Sequence, residues 1–309
     1  MATPPNADNG IKASDIAAEF GYNVDLSKVS LRAYRVSQTV GALSNLPLDT
    51  GIPQSGAIKY SDFINKRLNI VVNYYSGGNE TRPQSARERY DAANTQVVGG
   101  FKGRPSNPAG HKVKIHVNKT ISGGTGTDDC ALRTGDFGNT GVSIDVGGSG
   151  AIYGAGGNGG EGGENSGSGT NGGNGTSAIG IQQNSCEINV MSGGIISAGY
   201  GGGGGGGGDH QRDKGESRNS SGGGGGGGAG SPAGVGGNGG EGGADGANGA
   251  NGTNSSGGDG GNGGSNDNQA RAGEGGEGGD HNGNATNGEG GDHYTHTGAN
   301  AGGNGQAFR

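Results

Sequence analysis

Few residues in this chain are of types and spacings that do chemistry. Asp292, His293 and His296 form one group, and Asp280 with His281 forms another. Two imidazoles on one helix face, joined by a carboxylate, can ligate a metal ion. The run around them, TNGEGGDHYTHTGAN, is too rich in glycine to hold a helix, so no metal is expected. Asp128 and Asp129 sit in a Gly/Thr-rich stretch and read as turn residues. The segment GAGGNGG and the polyglycine run at 201–208 lack the Lys-Ser/Thr of a phosphate-binding loop and follow no βαβ pattern. No Ser/His/Asp or Cys/His arrangement stands out. The expectation is a protein that is not an enzyme and uses no cofactor. Cys130 and Cys186 have no CxxC partner and read as two free thiols, with a bridge open only if the fold brings them together.

Chemical variety in the second half gathers where the glycine rhythm breaks. Residues 209–221 read DHQRDKGESRNSS, 265–272 read SNDNQARA, 280–287 read DHNGNATN and 292–300 read DHYTHTGAN. Exposed polar loops on a rigid scaffold are a usual place for recognition. The candidate binding residues are therefore His210, Gln211, Arg212, Asp213, Lys214, Arg218, Asn266, Asp267, Gln269, Arg271, His281, Asn282, Asp292, His293, Tyr294 and His296. Tyr294 is the one aromatic among them with a stacking face.

What positions such loops is unusual. Of 309 residues, 82 are glycine, and most of these lie beyond residue 150. Only 27% of the chain is hydrophobic and there is no Trp, so a large side-chain core is excluded. The polar N-terminus reads as lacking a signal peptide, and no apolar run approaches the ~20 residues of a membrane helix. The first 110 residues carry a small positive balance and the rest is acidic, giving −7 overall. An acidic glycine-rich half does not suit a phosphate backbone, so no nucleic-acid partner is expected.

The glycines recur every third residue. Gly234, Gly237, Gly240, Gly243, Gly246, Gly249 and Gly252 form the longest series, and Gly154, Gly157, Gly160 and Gly163 another. Two readings are open. Low-complexity glycine segments are commonly disordered linkers. A period of three also matches an extended left-handed helix of three residues per turn. Collagen is excluded, because Pro232 is the one proline beyond residue 108. The ordered option is a polyglycine-II bundle, in which backbone groups pair between neighbouring helices that approach closely for want of Cβ atoms.

Between 111 and 200 the period changes to two. Val113, Ile115 and Val117 alternate with polar residues, as do Val142, Ile144 and Val146, and later Ile179, Ile181, Ile188 and Val190. Short strands at steady intervals suit a β-helix-like stack, within one chain or across a trimer. The N-terminal segment has conventional patterning. Ile11, Ile16 and Phe20 recur at helical spacing behind a cap at Ser14, and Ile58, Tyr60 and Phe63 repeat the opening around Ser61-Asp62. Residues 69–75 read as a strand, and 85–93 as an exposed helix in an otherwise polar linker. The expected organisation is a small α+β module over 1–75, a linker over 76–110, a short-strand stack with a first glycine insertion over 111–200, and a polyglycine-II-like domain over 201–309.

The segments ASDIAAEFG and SGAIKYSDFIN resemble a small module of bacteriophage tail and baseplate proteins. KVKIHVNKTISG, the following strand–glycine units and the polyglycine run resemble the distal region of phage central tail-fibre and host-specificity proteins. The whole arrangement is similar to tail-fibre-tip adhesins with a polyglycine-II sandwich. That resemblance implies a mainly β and irregular fold and a virion tail protein assembled in the host cytoplasm. It implies attachment to other tail or baseplate proteins through Ile11, Ile16, Phe20, Ile58, Tyr60 and Phe63, and loops that contact a host surface protein or glycan. Two other readings are a purely architectural baseplate or neck protein, and an ice-binding or cell-surface glycine-repeat protein. The Asn, Glu and Asp between the glycines do not suit an ice-binding face.

Overall fold

The computed structural model describes residues 10–20, 31, 53, 55–66, 70–74, 77–93, 113–126, 129–138, 141–165, 167–213, 216–266, 270–281, 283–291 and 298–304. Among these residues are two α-helices, α1 (Ala13–Phe20) and α2 (Ala86–Ala93), a 3-10 turn at Tyr60–Phe63, and short strands. The fold is mainly β and irregular, as the sequence patterning implies.

Alternation builds a three-faced parallel β-helix. One face stacks β1 (Ile70–Tyr74), β3 (Val113–Val117), β6 (Val142–Val146) and β9 (Cys186–Val190). The second stacks β4 (Thr120–Ser122), β7 (Ala151–Tyr153) and β10 (Ile195–Ser197), with Glu80 bridged to Ile121 one layer earlier. The third stacks β2 (Gln84–Ser85), β5 (Cys130–Arg133) and β8 (Ser177–Gly180). Register sets identical columns: Val72, Ile115, Ile144 and Ile188 on the first face, Ile121, Ile152 and Ile196 on the second. Alternate residues point inward, so each layer supplies a few branched side chains to one narrow core. Cys130 and Cys186 are free thiols, the first buried.

The N-terminal capping differs in detail from the sequence reading. Ser14 lies inside α1, and it is Asp15 that reaches back to accept from the Lys12 N–H at 2.9 Å. Asp62 does the same for the Lys59 N–H at 2.7 Å, on a 3-10 turn instead of an α-helix. A carboxylate satisfies the free donor at each start, so the repeat in sequence is a repeat in capping. The strand read as part of the first module pairs with β3 and begins the β-helix. Much of the presumed linker belongs there too. Ser85 Oγ accepts from the Glu88 N–H at the start of α2, and Tyr90 packs edge-on to Phe137 with centroids 5.8 Å apart. Helix α2 lies against β1, β2 and β5, and closes the first-layer end of the core.

The glycine series is ordered into extended rows. They are A (154–163), B (167–176), C (199–208), D (221–230), E (234–240), F (244–252), G (257–264), H (272–279), I (284–291) and J (298–304). Rows A and B, grouped with the strand stack in the sequence reading, belong to this lattice. Each row donates toward a given neighbour at every third residue. Gly157, Gly160 and Gly163 of row A donate to Tyr200, Gly203 and Gly206 of row C at 2.8–2.9 Å. Row D donates on three sides: Gly225 to Gly160 in A, Gly226 to Gly276 in H, and Gly224 to Ala247 in F. Rows C and D are enclosed, C by A, B, D, H, I and J, and D by A, C, E, F, G and H. The surrounding rows close on themselves through Gly175 N–H to Gly303 O at 2.9 Å, which joins B to J.

Enclosure explains composition. The enclosed stretches 201–208 and 222–228 are unbroken glycine, because a Cβ on any side meets a neighbouring carbonyl. Row E has one free side, where every third residue, Val235 and Asn238, is exposed, as is Glu241 just beyond the row. The lattice grows from the β-helix. Rows A and C continue strands β7 and β10, and the ladder runs on through Gly123 N–H to Tyr153 O at 2.8 Å and Gly154 N–H to Ser197 O at 2.9 Å.

Candidate functional site: loops at one end of the glycine lattice

Two hairpins emerge at the end of the lattice far from the β-helix. Strands β11 (Asp209–Asp213) and β12 (Glu216–Ser220) join the enclosed rows C and D, with His210 opposite Asn219 and Gln211 opposite Arg218. Strands β13 (Ser265–Asn266) and β14 (Ala270–Arg271) join G to H. Glycine rows cannot turn on themselves within a lattice, so the chain leaves at this end through residues with side chains.

The hairpins are fastened together at their bases. Asp209 is fully buried; one of its carboxylate oxygens accepts from the His210 N–H at 2.9 Å and the other from the Arg271 N–H at 3.2 Å. Asn266 Nδ2 donates to Asn219 O at 2.6 Å, and Asn219 Nδ2 donates to Asn165 Oδ1 at 3.2 Å. His210 Nδ1 pairs with Asn219 Oδ1. Ser221 Oγ donates to Gly242 O at 3.0 Å and accepts from the Asn165 N–H. The turns A–B, C–D, E–F and G–H thus share one polar floor. Gly291 lies against Gly208 and Asp209, which places the exit of row I on the same floor.

Among the sequence candidates, His210, Arg218, Asn266 and Arg271 come together here. The backbones of Gln211, Arg212 and Asp213 extend from the same hairpin. Lys214, Asp267, Gln269, Asn282, Asp292, His293, Tyr294 and His296 lie outside the described residues. His281 does not join the group. Its Nδ1 meets Tyr200 Oη at 2.9 Å, beside the start of row C at the β-helix end. At ~3.1 Å per residue, a row of eight residues separates it from the hairpins by about 25 Å. The sequence reading missed Asp209, Asn219 and Asn165, which build the floor. Their signal was position: two of them flank the β11–β12 turn just outside the unbroken glycine runs.

At the other end of the chain, Ile16 and Phe63 are fully buried and serve as internal anchors, whereas Tyr60 is 44% exposed. Ile11 and Ile58 are partly buried, and nothing is described of the Phe20 side chain. Asp129 accepts from the Gly126 N–H at 3.1 Å, a turn contact. Among the described residues, no group of three His, Cys, Asp or Glu side chains could hold a metal. The distal surface offers amides, guanidinium groups and an imidazole, which is hydrogen-bonding chemistry suited to recognition.

A β-helix that feeds its strands into a polyglycine lattice, with mixed polar hairpins at the far end, is a scaffold that displays loops. The chain belongs to the phage tail fibre adhesin Gp38 family, whose model matches residues 84–309. It is a tail-fibre adhesin, a structural component of the virion tail that serves host attachment. No curated protein matches it. Among solved structures it is similar to the gp37-gp38 adhesin tip complex of the bacteriophage S16 long tail fibre. The identity is 23%, over 84% of this chain and 82% of that one, with a TM-score of 0.39.

Proposed function

We propose that the adhesin binds its host through the distal hairpin surface, and that the target is an exposed surface protein loop or glycan held by hydrogen bonds. The observation that carries this reading is the shared floor of Asp209, Asn219 and Asn165, which holds separate loops in one fixed arrangement. Preorganised loops lose less entropy on binding than free ones. His210, Arg212, Arg218 and Arg271 supply the donors, joined by Gln211, Asp213, Lys214, Asn266, Asp267 and Gln269 and by the segment with Asp292, His293, Tyr294 and His296. His281, at the opposite end, is left out of this surface. The N-terminal module, with Tyr60 as its exposed aromatic, attaches the adhesin to the rest of the tail. The protein acts by binding and carries no catalysis.

The test replaces residues 211–218 with a short Gly-Ser turn and, separately, substitutes His281→Ala. Adsorption of virions to host cells is measured alongside the melting of the purified adhesin. The hairpin replacement is expected to reduce adsorption by more than tenfold with the melting transition kept, whereas H281A leaves adsorption unchanged. Unchanged adsorption after the hairpin replacement would overturn the assignment.

A further inference from the structure

Asparagine followed by glycine is the pair in which a backbone nitrogen most readily attacks a side-chain amide, because glycine brings no Cβ to hinder ring closure. The pairs that begin at Asn158, Asn171, Asn174, Asn238, Asn248, Asn251, Asn262 and Asn287 lie wholly among the described residues of the lattice. Attack needs two freedoms. The amide side chain must swing over its own backbone, and the peptide plane must turn its nitrogen toward the side-chain carbon.

The rows withhold these freedoms at most positions. Asn248 Oδ1 accepts from the Gly239 N–H at 2.8 Å, while the Gly249 N–H donates to Gly237 O at 2.9 Å. The pairs Asn251-Gly252, Asn171-Gly172, Asn174-Gly175 and Asn287-Gly288 repeat that double hold. At Asn158 the carbonyl is tied as well, by the Gly173 N–H at 2.7 Å. The Asn238 side chain has no partner among the described residues, but its peptide is fixed on both edges. Its carbonyl accepts from the Gly162 N–H at 2.8 Å, and the Gly239 N–H donates to Asn248 Oδ1.

Asn262 differs. It is exposed, and among the described residues neither its side chain nor the Gly263 N–H makes a hydrogen bond. One bond holds the peptide between them, from the Ala247 N–H to Asn262 O at 2.8 Å. The cause lies across the seam with row H. In the antiparallel seams E–F and I–J, the asparagine before a donating glycine accepts from the N–H two positions past that glycine's acceptor: Asn248 from Gly239, Asn287 from Ala301. In seam G–H, Gly275 donates to Gly261 O, and the residue before it is Glu274, which lies 3.6 Å from Arg271 instead. Gly263 is left without the acceptor that an asparagine would supply.

We propose that Asn262 is the position in these rows at which the adhesin modifies itself, by deamidation to aspartate and isoaspartate. Hydroxide takes the Gly263 N–H proton, the nitrogen bonds to Asn262 Cγ, and the Cγ–Nδ2 bond breaks as the leaving nitrogen takes a proton from water and departs as ammonia. Water then opens the cyclic imide at either carbonyl. The balance is one water consumed and one ammonia released, with nothing oxidised or reduced. Opening at the backbone carbonyl routes the chain through the side-chain carbon and lengthens row G by a methylene. The insertion falls between Gly261 and Gly264, which donate to Gly224 O at 2.8 Å and Ser221 O at 2.9 Å. A row with three residues per turn then no longer meets both acceptors, and the displacement passes to β13, which starts at Ser265.

The test incubates the full-length protein in mildly alkaline ¹⁸O-labelled water, folded and in urea, and assigns the label by peptide fragmentation and mass. In the folded protein Asn262 is expected to label roughly tenfold or more ahead of Asn171, Asn248, Asn251 and Asn287. In urea that lead is expected to disappear. Asn262→Gln should remove the early label and keep the melting transition. Labelling of any doubly held asparagine as fast as Asn262, or a lead that persists in urea, overturns the proposal. The isoaspartyl fraction, separated by ion exchange, is expected to exchange its Gly264 amide faster than fresh protein, with row C unchanged. Equal exchange overturns the inferred damage to row G. If the Asn262→Gln chain does not fold, the comparison of folded and urea-treated protein decides.

Discussion

The Gly225 N–H donates to Gly160 O at 2.8 Å, and the Gly225 carbonyl in turn accepts from the Gly237 N–H at 2.8 Å. A Cβ on Gly225 would run into Gly203 O, the carbonyl of a third row. Three rows thus converge on a residue with no side chain, and backbone hydrogen bonds do the work that apolar packing does elsewhere. Each such bond contributes about 0.5–1.5 kcal/mol net. Glycine loses more freedom on ordering than any other residue, so the lattice holds only because the rows are ordered together.

It follows that alanine is harmful in the enclosed rows and harmless where a glycine faces open space. Gly225→Ala is expected to cost at least about 1–3 kcal/mol, the range for overpacking a filled interior. Gly283→Ala, where nothing lies within 4 Å of an added Cβ, is expected to be near neutral. Calorimetric melting of the two variants checks this; equal transitions would refute the account of enclosure.

The outer rows use asparagine as mortar. Asn248 Oδ1 accepts from the Gly239 N–H at 2.8 Å, and Asn251, Asn158, Asn171, Asn174 and Asn287 make the same kind of contact between neighbouring outer rows. Asn248→Ala removes an acceptor and is expected to cost about 0.5–1.5 kcal/mol. Asn248→Asp keeps an oxygen in place and should restore most of the loss. Urea unfolding midpoints of the pair distinguish an acceptor role from a merely solvated surface residue.

Much of this order is legible in the sequence. The period of three announced the extended rows, and the alternation at Val113–Val117 and Val142–Val146 announced stacked strands. Row adjacency was not readable, because a glycine row carries no side chain to say which row it meets. The unbroken runs at 201–208 and 222–228 did hold a clue: only enclosure forbids every side chain. The first layer was missed for a different reason. Ile70–Tyr74 and Gln84–Ser85 are separated from β3 and β5 by long polar segments, and parallel pairing over such distances leaves no local signature. His281 looked equivalent to His210 in sequence; the alternating direction of the rows sends their turns to opposite ends.

Acid stability should depend on Glu80. Lys119 Nζ, 8% exposed, lies 2.6 Å from Glu80 Oε1, with Arg89 at 3.3 Å from the same oxygen. The Lys119 hydrogen bond, above all, holds the Glu80 carboxyl below the usual carboxylate range. A carboxylate with a depressed folded pKa stabilises the protein above its unfolded value, and that contribution is lost as pH falls through the folded value. Glu80→Gln is therefore expected to cost about 1.5–3 kcal/mol at neutral pH, the range for a hydrogen bond to a charged group. It should also flatten the fall in stability below the ordinary carboxylate range. Melting temperatures from pH 7 to pH 3 for both proteins test the sign; a steeper acid limb in the variant would contradict it.

Asp209 separates holding the loops from holding the fold. Its carboxylate sits fully buried under both hairpins and takes backbone N–H groups from His210 and Arg271, one on each. Asp209→Asn keeps the shape but offers one oxygen where two are used, so one hairpin loses its tie. Rows C and D remain bonded to all their neighbours. The expected outcome is a loss of adsorption of about tenfold or more, the size of a positioning defect of ~1.4 kcal/mol. Exchange of row C and D amides should be unchanged, and exchange in 209–220 and 265–271 faster. If adsorption and row exchange moved together, Asp209 would be a structural residue of the lattice instead of the positioning residue of its binding surface.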